Sequence, residues 1–176
     1  MEKYTSNSAQ ETKDFAGNLI KKLLEQKRTS ALVVGLCGEL GAGKTQFVQG
    51  VAKHLGIKRN ITSPTFVLMK KYSIPSKTYL PAVATAQAGL RLDEVASATQ
   101  AGNLKPKTCL YHIDCYRTQS AEEFLDLDWK DIIVNPNNII FVEWAEKIKK
   151  IMPKNSVWIY FKDRGENKRE FRIHGI

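Results

Sequence analysis

Residues 31–45 read ALVVGLCGELGAGKT, and the change of character half-way along that stretch decides the fold. Residues 31–37 are an apolar run with β-branched members, the pattern of a short buried strand. Gly38-Glu39-Leu40-Gly41-Ala42-Gly43-Lys44-Thr45 then matches G-x-x-x-x-G-K-[ST] in full, and a helical pattern follows at once, ending near Leu55-Gly56. Strand, glycine-rich loop and helix in that order are the context in which this motif binds phosphate. A polyphosphate needs many donors and little side-chain bulk. The backbone N–H groups of Glu39, Leu40, Gly41, Ala42 and Gly43 can turn inward around one, helped by the helix N-terminus. Lys44 would reach the β and γ oxygens, and the Thr45 hydroxyl would be a ligand of the magnesium ion bridging them.

Outward from this loop, Ser8-Ala9-Gln10-Glu11 fits a capping box, and Phe15, Leu19 and Leu23 recur at helical spacing, which predicts a helix running to about Lys27. Further strands are expected at residues 66–72, 109–114, 138–143, 156–161 and 169–173. Ser120-Ala121-Glu122-Glu123 is a second capping box, and a helix starting near Trp144 is expected to end at Pro153. Strands alternating with helices give an α/β, P-loop NTPase-like three-layer sandwich. Its sheet is expected to be mixed and mostly parallel, with a C-terminal antiparallel hairpin turned by residues 163–168. A chain of 176 residues with 43% apolar residues needs one core, so residues 1–176 are read as a single domain. Residues 73–108 do not fit: they hold one aromatic and three prolines. They are expected to be an insertion or mobile loop with one short helix near residues 90–101.

No apolar run approaches the roughly 18 residues that span a bilayer, and the polar start shows no secretory signal, so the expected setting is cytoplasmic. Cys37, Cys109 and Cys115, with no close pair, point to reduced thiols. The formal charge is +9, from 27 Lys and Arg against 18 Asp and Glu. Residues 51–71 hold five bases and no acid, and residues 146–176 nine bases and four acids, whereas residues 111–145 hold seven acids and two bases. Such a field favours polyanions such as nucleotides or RNA, and its acidic island can supply a metal site.

A phosphate site of this kind needs an acid at the end of a neighbouring strand. Ile139-Ile140-Phe141-Val142 is followed by Glu143, the first candidate for the metal-associated carboxylate, and Asp114 is the second. On an extended strand His112, Asp114 and Tyr116 share one face and Cys109 and Cys115 the other. Cys109, His112 and Cys115 therefore do not converge as zinc ligands, and buried structural cysteines are the better reading.

GELGAGKT, Ser63-Pro64-Thr65-Phe66, His112-Ile113-Asp114-Cys115-Tyr116-Arg117 and Val142-Glu143-Trp144-Ala145-Glu146, in this order, resemble the signature of the TsaE family, also called YjeE. The resemblance covers nearly the whole chain except residues 73–108, where members generally have a much shorter connection. It implies a small bacterial P-loop ATPase using ATP and Mg2+. Members are required for N6-threonylcarbamoyladenosine (t6A) at position 37 of tRNAs that read codons beginning with A. It also implies TsaD and TsaB as protein partners, with tRNA reached through their complex and ATP hydrolysis resetting or activating it. By this resemblance Lys44 and Thr45 take the phosphate and magnesium positions and Glu143 the second metal-associated position. Asp114 takes that of an acid orienting or activating the attacking water. Thr65 resembles a switch residue sensing the γ-phosphate, although a local turn after Pro64 explains it equally. Trp144 matches an aromatic position near the site, either stacking on the base or packed in the core. Arg117 is open between a phosphate or partner contact and a salt bridge to Glu122 or Glu123.

No arginine finger or water-positioning glutamine can be assigned, which predicts slow hydrolysis by the chain alone and acceleration by partners, since a finger is worth about 10³ to 10⁵ in rate. Three other readings compete. One is a P-loop small-molecule kinase. Another is a GTPase, because Asn167-Lys168-Arg169-Glu170 loosely resembles the guanine-reading Asn-Lys-x-Asp motif. The third is a non-hydrolysing RNA clamp, suggested by the basic charge.

Overall fold

Leu32–Cys37 (β2) is buried on both faces along its whole length, as a strand in the middle of a parallel sheet must be. The computed structural model describes residues 2–75 and 108–175. Strands Glu2–Ser6 (β1), Met69–Ser73 (β3), Cys109–Asp114 (β4), Asn138–Glu143 (β5), Val157–Asp163 (β6) and Arg169–His174 (β7) join β2 in one sheet. Their order is β1-β7-β6-β2-β5-β4-β3. Parallel pairing is confined to the middle four strands, β6, β2, β5 and β4. The expected hairpin is present as β6 and β7, and β1 and β3 add further antiparallel pairings at the two edges.

Side chains alternate along each strand, so β2 sends Leu32, Val34 and Leu36 to one layer and Val33 and Cys37 to the other. The first layer is Ala9–Leu24 (α1) and Lys44–His54 (α2), which bring Leu19, Ile20 and Leu23 together with Phe47, Val48 and Val51. The second is a 3-10 helix over Ala121–Leu127, the short helix Trp129–Val134 (α3) and a 3-10 helix over Ala145–Ile151, packed through Phe124, Trp129 and Ile148.

Local chemistry moves several expected boundaries. α1 stops at Leu24 rather than near Lys27, and the Arg28 guanidinium donates to Leu23 O at 2.6 Å, satisfying a carbonyl of its last turn. At its start the Glu11 N–H donates to Ser8 Oγ at 3.1 Å, but the Glu11 carboxylate accepts from Asn7 N–H at 2.8 Å rather than from Ser8. The strand expected over residues 66–72 begins only at Met69. Val67 N–H donates to Pro64 O at 2.8 Å, closing a turn that leaves Phe66 83% and Val67 60% exposed. Turn chemistry around Pro64 overrides the apolar run after it. The helix expected from Trp144 is 3-10 with non-helical Ile148, because Trp144 enters it at φ 59°. β1 and α3 were not expected. β1 carries no apolar alternation, and its anchor is Tyr4, stacked on Phe15 with ring centroids 4.0 Å apart.

The β3–β4 ladder ends with Ser73 opposite Cys109, and Ile74 N–H donates to Thr108 O at 3.0 Å. The chain thus leaves the sheet and rejoins it at one point. The helix expected near residues 90–101 lies outside the described residues. Among the described residues no helix is long and apolar enough to cross a membrane.

Candidate functional site

α2 begins at Lys44 behind an N-cap glycine, Gly43, at φ 98°, a left-handed conformation that suits a residue without Cβ. No side chain caps the helix, and Phe47 N–H to Gly43 O at 3.0 Å is a bond of its first turn. The N–H groups ahead of it have no intrahelical acceptor and lie in the wall of an open cleft of about 370 Å³. Leu40, Gly41, Gly43, Lys44 and Thr45 line that cleft. The other two expected cradle residues do not: Ala42 is buried, its N–H donating to Glu39 O at 3.2 Å, and Glu39 lies outside the lining. Gly38 is fixed by close approach, since a Cβ there would lie 2.6 Å from Phe161 O.

The Lys44 ammonium folds back over the loop, donating to Gly38 O at 2.6 Å and Glu39 O at 2.8 Å, and lies 4.0 Å from the Trp144 ring centroid. Burial pulls its pKa below the ordinary lysine value, while Glu143, Glu146 and Asp114 oppose that shift.

The two acids meet because β4 and β5 are adjacent and in register, Asp114 opposite Glu143, at the ends of both strands. Both carboxylates are buried. Glu143 Oε1 accepts from Thr45 Oγ1 at 2.8 Å and is 2.8 Å from His112 Nε2. Asp114 Oδ2 accepts from Ser63 Oγ at 2.5 Å and from Thr65 Oγ1 at 2.6 Å, and Oδ1 accepts from Tyr116 N–H at 2.9 Å. The segment carrying Ser63 and Thr65 is held by Gln49 Nε2 donating to Ile61 O at 2.9 Å and Lys70 Nζ donating to Thr62 Oγ1 at 2.7 Å. Thr65 therefore sits in the turn after Pro64, as the local reading of it expected, with its hydroxyl bound to Asp114.

Trp144 is half-buried. It packs against the second core layer and also faces the cleft, 5.2 Å from the Tyr116 ring. Arg117 lies 4.4 Å from the Phe66 ring centroid, a contact that neither expectation for it included. Asn167 and Lys168 of the motif at residues 167–170 lie in the connection between β6 and β7, Arg169 and Glu170 open β7, and Glu170 is engaged by Arg164, Arg172 and Lys3 rather than open to a base. Two residues were left without a role in the sequence. Ser63 shares Asp114 with Thr65, and its signal was the same Ser-Pro-Thr motif. Arg169 runs beside the loop, with Nε 3.8 Å from where a Gly43 Cβ would stand, and nothing in the spacing links positions so far apart.

The model of the family described as threonylcarbamoyl adenosine biosynthesis protein TsaE matches residues 6–83 and 75–171. The chain belongs to the TsaE family. This member is 33% identical over 172 residues to the tRNA threonylcarbamoyladenosine biosynthesis protein TsaE of Rickettsia prowazekii, covering 97% of the chain and 93% of that protein. It is 32% identical over 168 residues to the protein of the same description from Treponema pallidum, covering 96% of each. Among solved structures it is similar to the crystal structure of Bacillus subtilis YdiB, with a TM-score of 0.57 and 26% identity, covering 97% of this chain and 82% of that one. The oxygen set at the cleft of this TsaE-family chain, a threonine hydroxyl and two carboxylates beside exposed backbone N–H groups, has the chemistry of a magnesium–phosphate site.

Proposed function

We propose that this TsaE-family chain is a P-loop ATPase, dependent on Mg2+, that serves t6A modification of tRNA together with TsaD and TsaB. The observation that carries the reading is the convergence of Lys44 and Thr45 from α2, Asp114 from β4 and Glu143 from β5, three separate elements of the chain, on one cleft at a helix N-terminus. ATP would lay its β- and γ-phosphates against the N–H groups at the start of α2. Lys44 would exchange its two carbonyl acceptors, Gly38 O and Glu39 O, for phosphate oxygens. Thr45 and Glu143 would hold the magnesium ion, which when bound neutralises charge on the phosphates.

Asp114 is the group suited to orient the attacking water. Oδ2 already accepts two hydroxyl bonds, which fill its two lone pairs, so a water must use the open side of Oδ1 or displace Thr65 or Ser63. A γ-phosphate accepting the Thr65 hydroxyl in place of Asp114 would link nucleotide state to the exposed turn at Phe66 and Val67. Among the described residues Lys44 is the one cationic side chain in the cleft lining, with Arg169 running beside the loop at Gly43 rather than into the lining, which supports slow turnover by the chain alone. Phosphate release measured with and without purified TsaD and TsaB tests the reading: stimulation by the partners is expected, and equal rates in a complex that modifies tRNA would refute the partner-gated part. Transfer of phosphate to a metabolite instead of water would favour the kinase reading, and tRNA binding that is salt-dependent and indifferent to ATP would favour the RNA clamp.

A further inference from the structure

His112 has no task in the mechanism above, yet it is wholly buried, at 0% exposure, on β4 two residues before Asp114. Its Nε2 lies 2.8 Å from Glu143 Oε1, the same oxygen that accepts from Thr45 Oγ1 at 2.8 Å. Its Nδ1 is buried with no hydrogen-bond partner. An apolar side chain of similar volume would fill this space without leaving a ring nitrogen unpaired, so packing alone does not explain an imidazole there. Its contribution at this position is the single bond to Glu143.

We infer that His112 is a positioning residue for Glu143: as the neutral Nε2–H tautomer it donates to Oε1, pins that oxygen beside Thr45, and leaves Oε2 to face the cleft. A glutamate side chain has three rotatable bonds, and one donor from Thr45 fixes a single point of it. A second donor on the same oxygen, from a neighbouring strand, takes its other lone pair, and because both lone pairs lie in the carboxylate plane the two donors together set that plane, as partners behind metal-associated carboxylates do in general. The bare Nδ1 fits this tautomer, because a ring nitrogen carrying a proton in the interior would leave a donor unsatisfied. The inference rests on the magnesium–nucleotide reading of the cleft and deepens it.

The test compares the parent with His112→Leu, which removes the donor, and His112→Gln, whose amide nitrogen can stand where Nε2 stands. Binding of a fluorescent ADP analogue is measured in EDTA and across a Mg2+ titration. In EDTA all three proteins are expected to bind alike, since the loop and Lys44 are untouched. The Mg2+ concentration giving half the effect should rise about 10- to 100-fold in His112→Leu. His112→Gln should recover most of that loss, a rescue that a purely space-filling role would not produce. Independently of any variant, long-range proton–nitrogen spectra of histidine-labelled parent protein should show one buried histidine as the Nε2–H tautomer. An Nδ1–H tautomer, an unchanged Mg2+ requirement in His112→Leu, or a His112→Gln protein as impaired as His112→Leu would each overturn the inference. A parent that binds no analogue at all would sink the nucleotide reading along with it, whereas normal parent binding with an unaltered Leu variant would sink the inference alone.

Discussion

Two glycines on facing helices should respond in opposite directions to the same change. Gly17 lies in α1 and Gly50 in α2, both buried, in the helix pair that backs the cleft. A methyl group at Gly17 would meet the His54 side chain at 3.5 Å, ordinary contact, so Gly17→Ala should collect the helix-propensity gain of up to about 1 kcal/mol. At Gly50 the methyl would lie 2.4 Å from Lys13 O and 2.5 Å from Lys13 Cα. Those are backbone atoms that cannot swing aside, so α1 and α2 must separate by about 1 Å. Overpacking of this kind costs about 1–3 kcal/mol, and a backbone clash belongs at the upper end. The clash therefore outweighs the propensity gain, for a net loss of about 2 kcal/mol. At about 2–4 °C per kcal/mol for a chain of this size, Gly50→Ala should melt about 4–8 °C lower and Gly17→Ala up to about 4 °C higher. Urea unfolding should show both midpoints moving with unchanged slopes. Shifts of the same sign in the two variants would refute the account of how α1 and α2 meet. Because α2 presents Lys44 and Thr45 on its first turn, Gly50→Ala should also weaken nucleotide binding.

Lys44→Ala should weaken binding of ATP about 10- to 100-fold, the worth of lost charge-assisted hydrogen bonds, by calorimetry or by the fluorescence of Trp144. Glu143→Gln should leave binding in EDTA intact while cutting magnesium-dependent phosphate release, a separation visible by comparing the two assays on one preparation. Arg164, with Arg172 and Lys3, holds the Glu170 carboxyl down to about 2. A carboxyl lowered on folding stabilises the native state above its unfolded value near 4.5 and loses that contribution as pH falls toward 2. The stability gap between parent and Glu170→Gln should therefore be full at pH 6 and close across that window in acid-unfolding curves. Burial pushes the Cys37 thiol up to about 12 and raises that of Cys115 as well, so at pH 8 a thiol reagent should label the native protein at neither position and both after unfolding.

The strand, loop and helix around Lys44 were legible because each step uses a local rule: an apolar run, glycines that admit close backbone approach, and a helix behind them. Asp114 and Glu143 were legible for a similar reason, each closing an apolar strand, but their adjacency depends on β4 and β5 pairing in register, which no local pattern states. The alternation that put His112 on the face of Asp114 was correct and served only to set zinc aside. Its bond to Glu143 crosses strands and appears only in three dimensions. β1 escaped notice because an edge strand with exposed Lys3, Tyr4 and Thr5 carries no hydrophobic alternation, its hold on the sheet coming from backbone pairing with β7 and its hold on α1 from the Tyr4–Phe15 stack. Residues 66–68 misled because an apolar run is a strand signal only where the backbone is free to extend, and Pro64 had already committed it to a turn.

Ile74 and Thr108 are hydrogen-bonded neighbours, so any polypeptide spliced between them meets the sheet as a closed loop. The entropic penalty of such a loop grows only with the logarithm of its length, about 0.6 kcal/mol per doubling. That junction abuts Cys109, while Asp114 stands at the opposite end of the same strand, roughly 17 Å away at the usual rise per residue. Evolution can therefore lengthen, trim or exchange the graft at one end of β4 without shifting the strand register that sets Asp114 opposite Glu143 at the other.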